Sequence, residues 1–198
     1  MQPAPSTRAR VSGGLTPQRL AAYAVIYRSD SYHDAVYNMI SATDLPASYR
    51  PLRGGVIVQY GDYYGLGLDC EYKELSDFGG GVSYRRDGSL SNGAARELYE
   101  ESLGVFDVTG DDIAAGSRVV GQKNMAIFIW QYTGTATRDE LTAQFQQQLA
   151  TEEKPEMCDL IWLDQSSMKH AMEGAPYRGY KMYQRVSNLL RKSSFLTM

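Results

Sequence analysis

Three glutamates stand close together near the middle of the 198-residue chain, at Glu97, Glu100 and Glu101. In an α-helix, residues three and four positions apart share a face, so these carboxylates would point from one side. Like charges at such spacings destabilise an isolated helix, which predicts a cation that offsets them. Because Mg²⁺ prefers oxygen ligands and binds through a few carboxylates plus substrate phosphates, the cluster predicts a metal-phosphate site.

The residues around the acids favour a helix that lies against closely packed backbone. The face opposite the acids is apolar and can dock on a core; it comprises Ala94, Ala95 and Leu98. Upstream, the run Gly79–Gly81 permits close approaches that a Cβ atom would forbid, and we interpret it as a loop. The sequence therefore predicts a glycine loop followed by a helix whose acids face that loop.

Both ends of the predicted helix carry residues typical of helix termini. Ser91 or Asn92 can act as the N-cap, because a short polar side chain accepts a hydrogen bond from the first free backbone amides. Gly104 suits the position after the last turn, where the backbone often takes a left-handed conformation. These signals indicate that the acidic segment is one short helix.

The stretch from Asp77 to Val105 resembles the Nudix box, a signature written G-x5-E-x7-R-E-U-x-E-E-x-G-U with U aliphatic. The matching residues are Arg96, Glu97, Leu98, Glu100 and Glu101 in its core and Gly104 and Val105 at its end. Two departures are present, since one extra residue precedes Gly104 and the loop is longer than the pattern. The expected loop glutamate falls on Gly88, and we do not assign its role to Asp87, the only acid in that loop.

This resemblance implies a hydrolase that holds Mg²⁺ or Mn²⁺ between its carboxylates and a pyrophosphate. In proteins with this signature, the residues that match Glu100 and Glu101 chiefly bind the metal. The residue that matches Glu97 ligates it or orients the attacking water. A glycine carbonyl completes the coordination sphere, and here it would come from Gly80 or Gly81. The expected metal site therefore joins the helix to the glycine run.

Two further roles are implied by the same resemblance. Arg96 matches the arginine of the box and is expected to hold Glu97 in place by a charge-assisted hydrogen bond. A further acid from a downstream loop often serves as base or ligand in such enzymes. Glu152, Glu153 and Glu156 are the candidates, and we favour Glu153 as the catalytic one.

Strand and helix patterns alternate along most of the chain. The predicted strands are Gly54–Gln59, Tyr64–Leu68, Ser117–Val120, Met125–Tyr132 and Met157–Leu163. The predicted helices, besides the acidic one, are Asp30–Ile40, Thr137–Ala150 and Tyr180–Lys192. This alternation predicts an α/β fold, and the resemblance makes it a Nudix-type α/β/α sandwich with a mixed sheet and an N-terminal extension.

Length and composition fit one domain with additions. We divide the chain into a flexible tail at 1–14, an N-terminal extension at 15–52 and a Nudix hydrolase domain at 53–198. No apolar run approaches the roughly 20 residues that span a bilayer, so no membrane partner is expected. We expect an intracellular, cytoplasmic protein, although the acid-free start also fits an organelle transit peptide. Cys70 and Cys158 have no metal-ligand spacing and are expected to be buried in the protein core. A reducing compartment is the expected location of the protein.

The C-terminal segment is basic, in contrast to the net charge of −3 for the whole chain. Arg178, Lys181 and Arg185 are candidates for substrate binding, and the alternative is a solvated helix flank. The main functional prediction is a metal-dependent hydrolase that cleaves the pyrophosphate of a nucleoside diphosphate linked to another moiety. The alternatives are an mRNA decapping Nudix enzyme that acts on capped RNA, and a catalytically inactive Nudix-like module. The sequence does not determine the oligomeric state.

Overall fold

A mixed β-sheet forms the centre of the computed structural model, which describes residues 37–196. Nine strands form the sheet within this range: β1 (Tyr37–Ser41), β2 (Arg53–Tyr60), β3 (Tyr63–Asp69), β4 (Glu74–Ser76), β5 (Phe78–Gly81), β6 (Ser117–Gln122), β7 (Met125–Gln131), β8 (Met157–Asp164) and β9 (Lys181–Met182). Five α-helices accompany them there: α1 (Leu90–Glu101), α2 (Gly110–Gly116), α3 (Arg138–Leu149), α4 (Gln165–Met172) and α5 (Gln184–Arg191). A 3-10 turn at Ala42–Asp44 follows β1.

The strand order places β2 at the middle of the sheet. The order is β1-β6-β7-β2-β3-β4-β9, with β5 paired to β2 and β8 paired to β3. β2 runs parallel to β7 and antiparallel to β3 and β5, so the sheet is mixed. Both β5 and β7 pair with β2, so the glycine-rich strand β5 lies next to the central strand of the sheet.

Helices cover both faces of the sheet. On one face, α1, α2 and α3 contribute buried side chains to a core that includes Leu98, Ile113 and Phe145. On the other face, α4 and α5 contribute to a second core that includes Met168 and Leu189. β7 is buried on both sides, as its unbroken apolar sequence predicts. The predicted α/β/α sandwich with a mixed sheet is therefore confirmed.

Every predicted strand within the described range is present. The helix predicted at Thr137–Ala150 is also present as α3, and Thr137 caps it. The Thr137 side chain accepts a hydrogen bond from the Glu140 amide, and the Glu140 side chain accepts one from the Thr137 amide. This reciprocal capping box satisfies two backbone donors that the first turn leaves free. Local signals were sufficient in these segments.

Two helix predictions need correction. The described part of the helix predicted at Asp30–Ile40 is strand β1, which pairs antiparallel with β6, and pairing with the sheet outweighs the helical spacing. The helix predicted at Tyr180–Lys192 begins only at Gln184, because β9 first pairs with β4 and buries Met182. The predictions for residues 1–36, including the tail and most of the extension, lie outside the described residues.

The two cysteines and two short helices also differ from the sequence-based predictions. Cys70 and Cys158 were expected to be buried, but each is partly exposed at an edge of the β3–β8 pair. Helices α2 and α4 were not predicted, although the polar caps Thr109 and Asp164 mark their starts. Both helices are short, so their apolar stripes carry little signal. No helix within residues 37–196 combines the length and the apolar character needed to cross a membrane.

Candidate active site

Helix α1 carries the three glutamates and is fixed at both ends. Ser89 is the N-cap, not Ser91 or Asn92 as predicted, and its hydroxyl accepts a 3.1 Å hydrogen bond from the Asn92 amide. At the other end the Gly104 amide donates to the carbonyl of Tyr99 at 2.8 Å. That bond closes the helix with a Schellman-type turn.

The turn at this end of the helix has an unusual backbone conformation. Leu103 has a φ of 57° and Gly104 a φ of 77°, so two successive residues are left-handed. In the Nudix signature, glycine stands where this chain has Leu103. A leucine in this conformation is unfavourable, because its Cβ atom crowds the backbone. The turn after α1 therefore contains a strained residue.

The glycine run is a strand and not the predicted loop. Gly79 and Gly80 belong to β5, which pairs with β2. A Cβ atom on Gly79 would lie 2.4 Å from the Cα of Gly55, and one on Gly80 would lie 2.4 Å from Oε2 of Glu97. The glycines thus allow two backbones and one carboxylate to meet in a space that has no room for side chains. Pairing with β2 provides the hydrogen bonds that a loop would lack.

Arg96 connects the acids to the surrounding backbone. Its guanidinium donates to Glu97 Oε1 at 2.7 Å and to Glu100 Oε2 at 2.7 Å. It also donates to the Gly81 carbonyl at 2.9 Å and to Asp87 Oδ1 at 3.1 Å. The predicted hydrogen bond between Arg96 and Glu97 is therefore present. Arg96 additionally bridges Glu97 and Glu100, which the sequence did not suggest.

Asp87 takes a positioning role in the loop that lacks the expected glutamate. Its side chain is 3% exposed and accepts hydrogen bonds from Arg86, Arg96 and the Ser83 amide. Burial alone would raise the pKa of Asp87, but these donors lower it to about 2. Asp87 is therefore ionised at neutral pH and anchors Arg96 beside the glutamates.

Glu101 is the most buried of the three acids, with 7% of its surface exposed. Its Oε2 accepts a 2.6 Å hydrogen bond from the Gly79 amide. Burial and the nearby charge of Asp77 raise the pKa of Glu101 to about 9, although Gly79 and Arg53 act in the opposite direction. The positive charge of Arg53 is largely committed to Asp77, which it contacts at 2.7 Å. Glu101 is therefore short of a compensating cation.

Glu97 and Glu100 differ in their exposure. Glu97 is 9% exposed. Burial is the main cause that raises the pKa of Glu97, and the charges of Glu100 and Glu156 raise it further, whereas the hydrogen bond from Arg96 lowers it. The Glu100 side chain is 54% exposed. The helix therefore presents a buried pair of acids and one solvent-facing acid to the same region.

A cleft of about 450 Å³ lies beside these glutamates. Its lining residues are Glu97, Tyr99, Glu100, Glu101, Leu103, Gly104, Gln148, Thr151, Glu152, Lys154, Pro155 and Glu156. The downstream loop thus contributes Glu152 and Glu156, two of the three candidate acids. Glu153, the favoured candidate, is exposed and does not line the cleft. Its catalytic role remains a prediction.

The carboxylates are suitable ligands for a divalent cation, but their side chains do not point to one common position. No group of three acidic, histidine or cysteine side chains is arranged to hold a metal in the part of the chain that the structure describes. One oxygen each of Glu97 and Glu100 is taken by Arg96, and one of Glu101 by Gly79. The second oxygen of each glutamate makes no hydrogen bond among residues 37–196. Such hard oxygen donors fit Mg²⁺ or Mn²⁺.

The three basic candidates are not part of this cleft. Arg178 lies over the ring of Tyr177, 5.5 Å from its centroid, and Lys181 is on β9. Arg185 lines a separate cavity of about 550 Å³, which it shares with Arg53. None of the three is among the residues that line the carboxylate cleft. Their role in substrate binding remains a prediction.

No family model matches the chain, and no curated protein sequence matches it. Among solved structures, a bifunctional NMN adenylyltransferase/ADP ribose pyrophosphatase from Francisella tularensis, complexed with AMP and a Mn ion, is 12% identical with a TM-score of 0.45 over 74% of this chain and 42% of that one. A NUDIX hydrolase from Nitrosomonas europaea is 10% identical with a TM-score of 0.42, over 72% and 88% of the two chains. The Bacillus subtilis pyrophosphohydrolase BsRppH is 15% identical with a TM-score of 0.36, over 78% and 81%. The chain therefore matches less than half the length of the Francisella protein.

Proposed function

We propose that this chain is a metal-dependent pyrophosphohydrolase that cleaves a nucleoside diphosphate linked to another moiety. The observation that carries the proposal is the cleft that Glu97, Glu100 and Glu101 line beside the glycine strand. The pKa of Glu101 is raised to about 9, and the positive charge nearest to it, Arg53, is paired with Asp77. A buried carboxylate in this state is typical of a functional site rather than of a solvated helix face.

Each residue of the cleft has a distinct task under this proposal. Glu97, Glu100 and Glu101 would hold Mg²⁺ or Mn²⁺ through the oxygens that are free of hydrogen bonds. The bound ion would neutralise phosphate oxygens and supply a water of lowered pKa. Arg96 positions Glu97 and Glu100, and Asp87 positions Arg96. Glu101 holds a proton at neutral pH in the ion-free protein, because its pKa is about 9.

Glu156 is a better placed general base than Glu153. Glu156 lines the cleft and is close enough to Glu97 for its charge to raise the pKa of that residue. A general base must lie within hydrogen-bonding reach of the proton that it removes, directly or through one water. Replacing Glu156 with glutamine should therefore lower the rate by about 10²-fold or more. The matched change Glu153→Gln should leave the rate near that of the wild type.

The decisive experiment is a hydrolysis screen. Nucleoside diphosphates linked to sugars or to a second nucleotide, together with capped RNA, are incubated with Mg²⁺ or Mn²⁺, and the products are separated by chromatography. We expect phosphate-containing products from at least one compound and none from the Glu100→Gln variant. Glu173→Gln, which changes an exposed acid outside the cleft, is the control. Release of the cap nucleoside diphosphate from capped RNA, with no product from the small nucleotides, would favour decapping.

One observation favours a second candidate, a Nudix-like module without catalysis. Arg96 already binds Glu97 and Glu100, so a cation must compete with its guanidinium. Calorimetric titration with Mn²⁺ separates the two candidates, because the hydrolase requires binding that Glu100→Gln and Glu101→Gln weaken. Absence of Mn²⁺ binding together with absence of products from every compound would support the module.

A further inference from the structure

Cys70 and Cys158, the two cysteines of the chain, are brought together by the fold although they are far apart in sequence. Cys70 directly follows β3, and Cys158 is the second residue of β8, the antiparallel partner of β3. The amide of Cys70 donates to the carbonyl of Glu156 at 2.8 Å. Both thiols are free and partly exposed, so a reagent in solution can reach them.

A β-bulge sets the direction of the second cysteine. The register between the strands shifts between Leu68 and Asp69, whose partners are Asp159 and Met157, and Cys158 is the extra residue. Such a residue is left out of the ladder, and the bulge re-aims its side chain. The Sγ atom of Cys158 consequently lies 3.9 Å from the carbonyl oxygen of Asp69, the residue that precedes the other cysteine.

The surroundings give the two sulfurs different properties. Lys73 Nζ donates a hydrogen bond to the Sγ of Cys158 at 3.6 Å. Burial raises the pKa of the Cys70 thiol to about 11, and the neighbouring Cys158 thiol adds to this. Asp69 accepts two amides of the following turn at 2.8 Å and 2.6 Å, which holds Cys70 in place. Because its pKa is raised, Cys70 is the weaker nucleophile, so we assign the first attack to Cys158 and the resolving step to Cys70.

We propose that Cys70 and Cys158 form a redox modification site, at which a low-molecular-weight disulfide such as oxidised glutathione closes an intramolecular disulfide bond. The Cys158 thiolate attacks one glutathione sulfur, and the other glutathione leaves as a thiol after taking up the proton that Cys158 lost. Cys70 then loses its proton, attacks the Cys158 sulfur and releases the second glutathione as a thiol. The protein loses two protons and two electrons, and one oxidised glutathione becomes two reduced molecules.

The disulfide would act at the rim of the carboxylate cleft. Glu156 lines that cleft, and its carbonyl accepts the hydrogen bond from Cys70. A covalent link between Cys70 and Cys158 ties the segment before β8 to the turn after β3. Because the link closes a long loop of the chain, it also restricts the unfolded state.

The experiment uses the reduced full-length protein and an excess of oxidised glutathione. We expect both thiols to disappear together, with a product lighter by two hydrogen atoms and a peptide map that joins the Cys70 and Cys158 peptides. Dithiothreitol should restore both thiols. The oxidised protein should melt about 3 °C or more above the reduced one. The readouts need no turnover, so they are independent of the proposed hydrolase activity.

Two single variants serve as matched controls. Cys70→Ser should stop at a glutathione adduct on Cys158, and Cys158→Ser should show neither the mass loss nor the rise in melting temperature. The wild-type peptide map keeps the test valid even where a variant folds poorly. A wild-type protein that retains a glutathione adduct, links two chains, or keeps both thiols under these conditions would overturn the proposal.

Discussion

The acidic cleft and the basic C-terminal segment both concentrate one sign of charge within a short stretch of sequence, and the fold treats them differently. Glu97, Glu100 and Glu101 share one helix and line one cleft with the downstream acids. Arg178, Lys181 and Arg185 are distributed over a turn, strand β9 and helix α5. Charges on one helix reach the same cleft because the helix fixes their directions, whereas charges on three elements depend on how those elements pack.

The two regions also differ in burial, and burial decides how strongly the loss of a partner for a charged side chain affects stability. Asp87 and Glu101 are removed from water and need specific donors. Lys181 and Arg185 are exposed, so water solvates them. Exposed charges contribute little to stability, whereas a buried charge that loses its partner is costly. The following predictions test this difference.

The largest expected effect concerns Arg96. Arg96→Met removes the donor shared by Asp87, Glu97 and Glu100 and leaves the first two buried without it. We expect the free energy of unfolding to fall by about 3 kcal/mol. Arg185→Met, the matched change in the basic segment, should alter it by about 0.5 kcal/mol or less. Urea denaturation of the three proteins measures both values, and equal effects would contradict the proposed anchor.

The next effect concerns the glycine strand beneath the acids. Gly79→Ala places a Cβ atom 2.4 Å from the Cα of Gly55, so one backbone must move. We expect a loss of about 2–3 kcal/mol in the free energy of unfolding. Gly81→Ala is the control, because its Cβ atom would have no atom within 4 Å. Thermal unfolding that ranks Gly81→Ala as the more harmful change would show that β5 is packed differently.

A smaller effect is the pH dependence that Glu101 imparts. Its folded pKa of about 9 exceeds the value of about 4.3 for an unfolded glutamate. Between these values the folded state keeps a proton that the unfolded state has released, so stability falls as the pH rises. In metal-free buffer, the wild type should lose about 2 kcal/mol relative to Glu101→Gln between about pH 6 and about pH 8. Parallel slopes for the two proteins in urea titrations would refute the raised pKa.

The smallest effect is expected in the basic segment. If the hydrolase proposal holds, replacing Arg178, Lys181 and Arg185 together with glutamine should change kcat and KM for a small nucleotide substrate by about twofold or less. None of these side chains lines the carboxylate cleft. Steady-state kinetics measures the change. A tenfold rise in KM at unchanged kcat would instead assign the three residues to substrate binding, as the sequence suggests.

The strands and the acidic helix could be predicted because their signals are local. Met125–Gln131 is apolar throughout, and Thr137 caps a helix with a regular apolar stripe. The hydrogen bond between Arg96 and Glu97 was expected from the resemblance of the segment to the Nudix signature, and it is present. Strand β1 could not be predicted, because it forms by pairing with β6, which is distant in the chain. The late start of α5 could not be predicted either, because the residues before it form β9 by pairing with the distant strand β4.

The sequence by itself determined that three carboxylates share a helix face, that an arginine stands beside them and that glycines lie nearby. Only the tertiary structure decided that the glycines form a strand against β2 and that Glu101 is buried while its neighbour Glu100 faces solvent. It likewise brought Glu156 to the cleft and Cys158 to Cys70. The physical reason is that helical periodicity and capping act over a few residues, whereas burial, pKa and strand register depend on contacts between segments far apart in the chain.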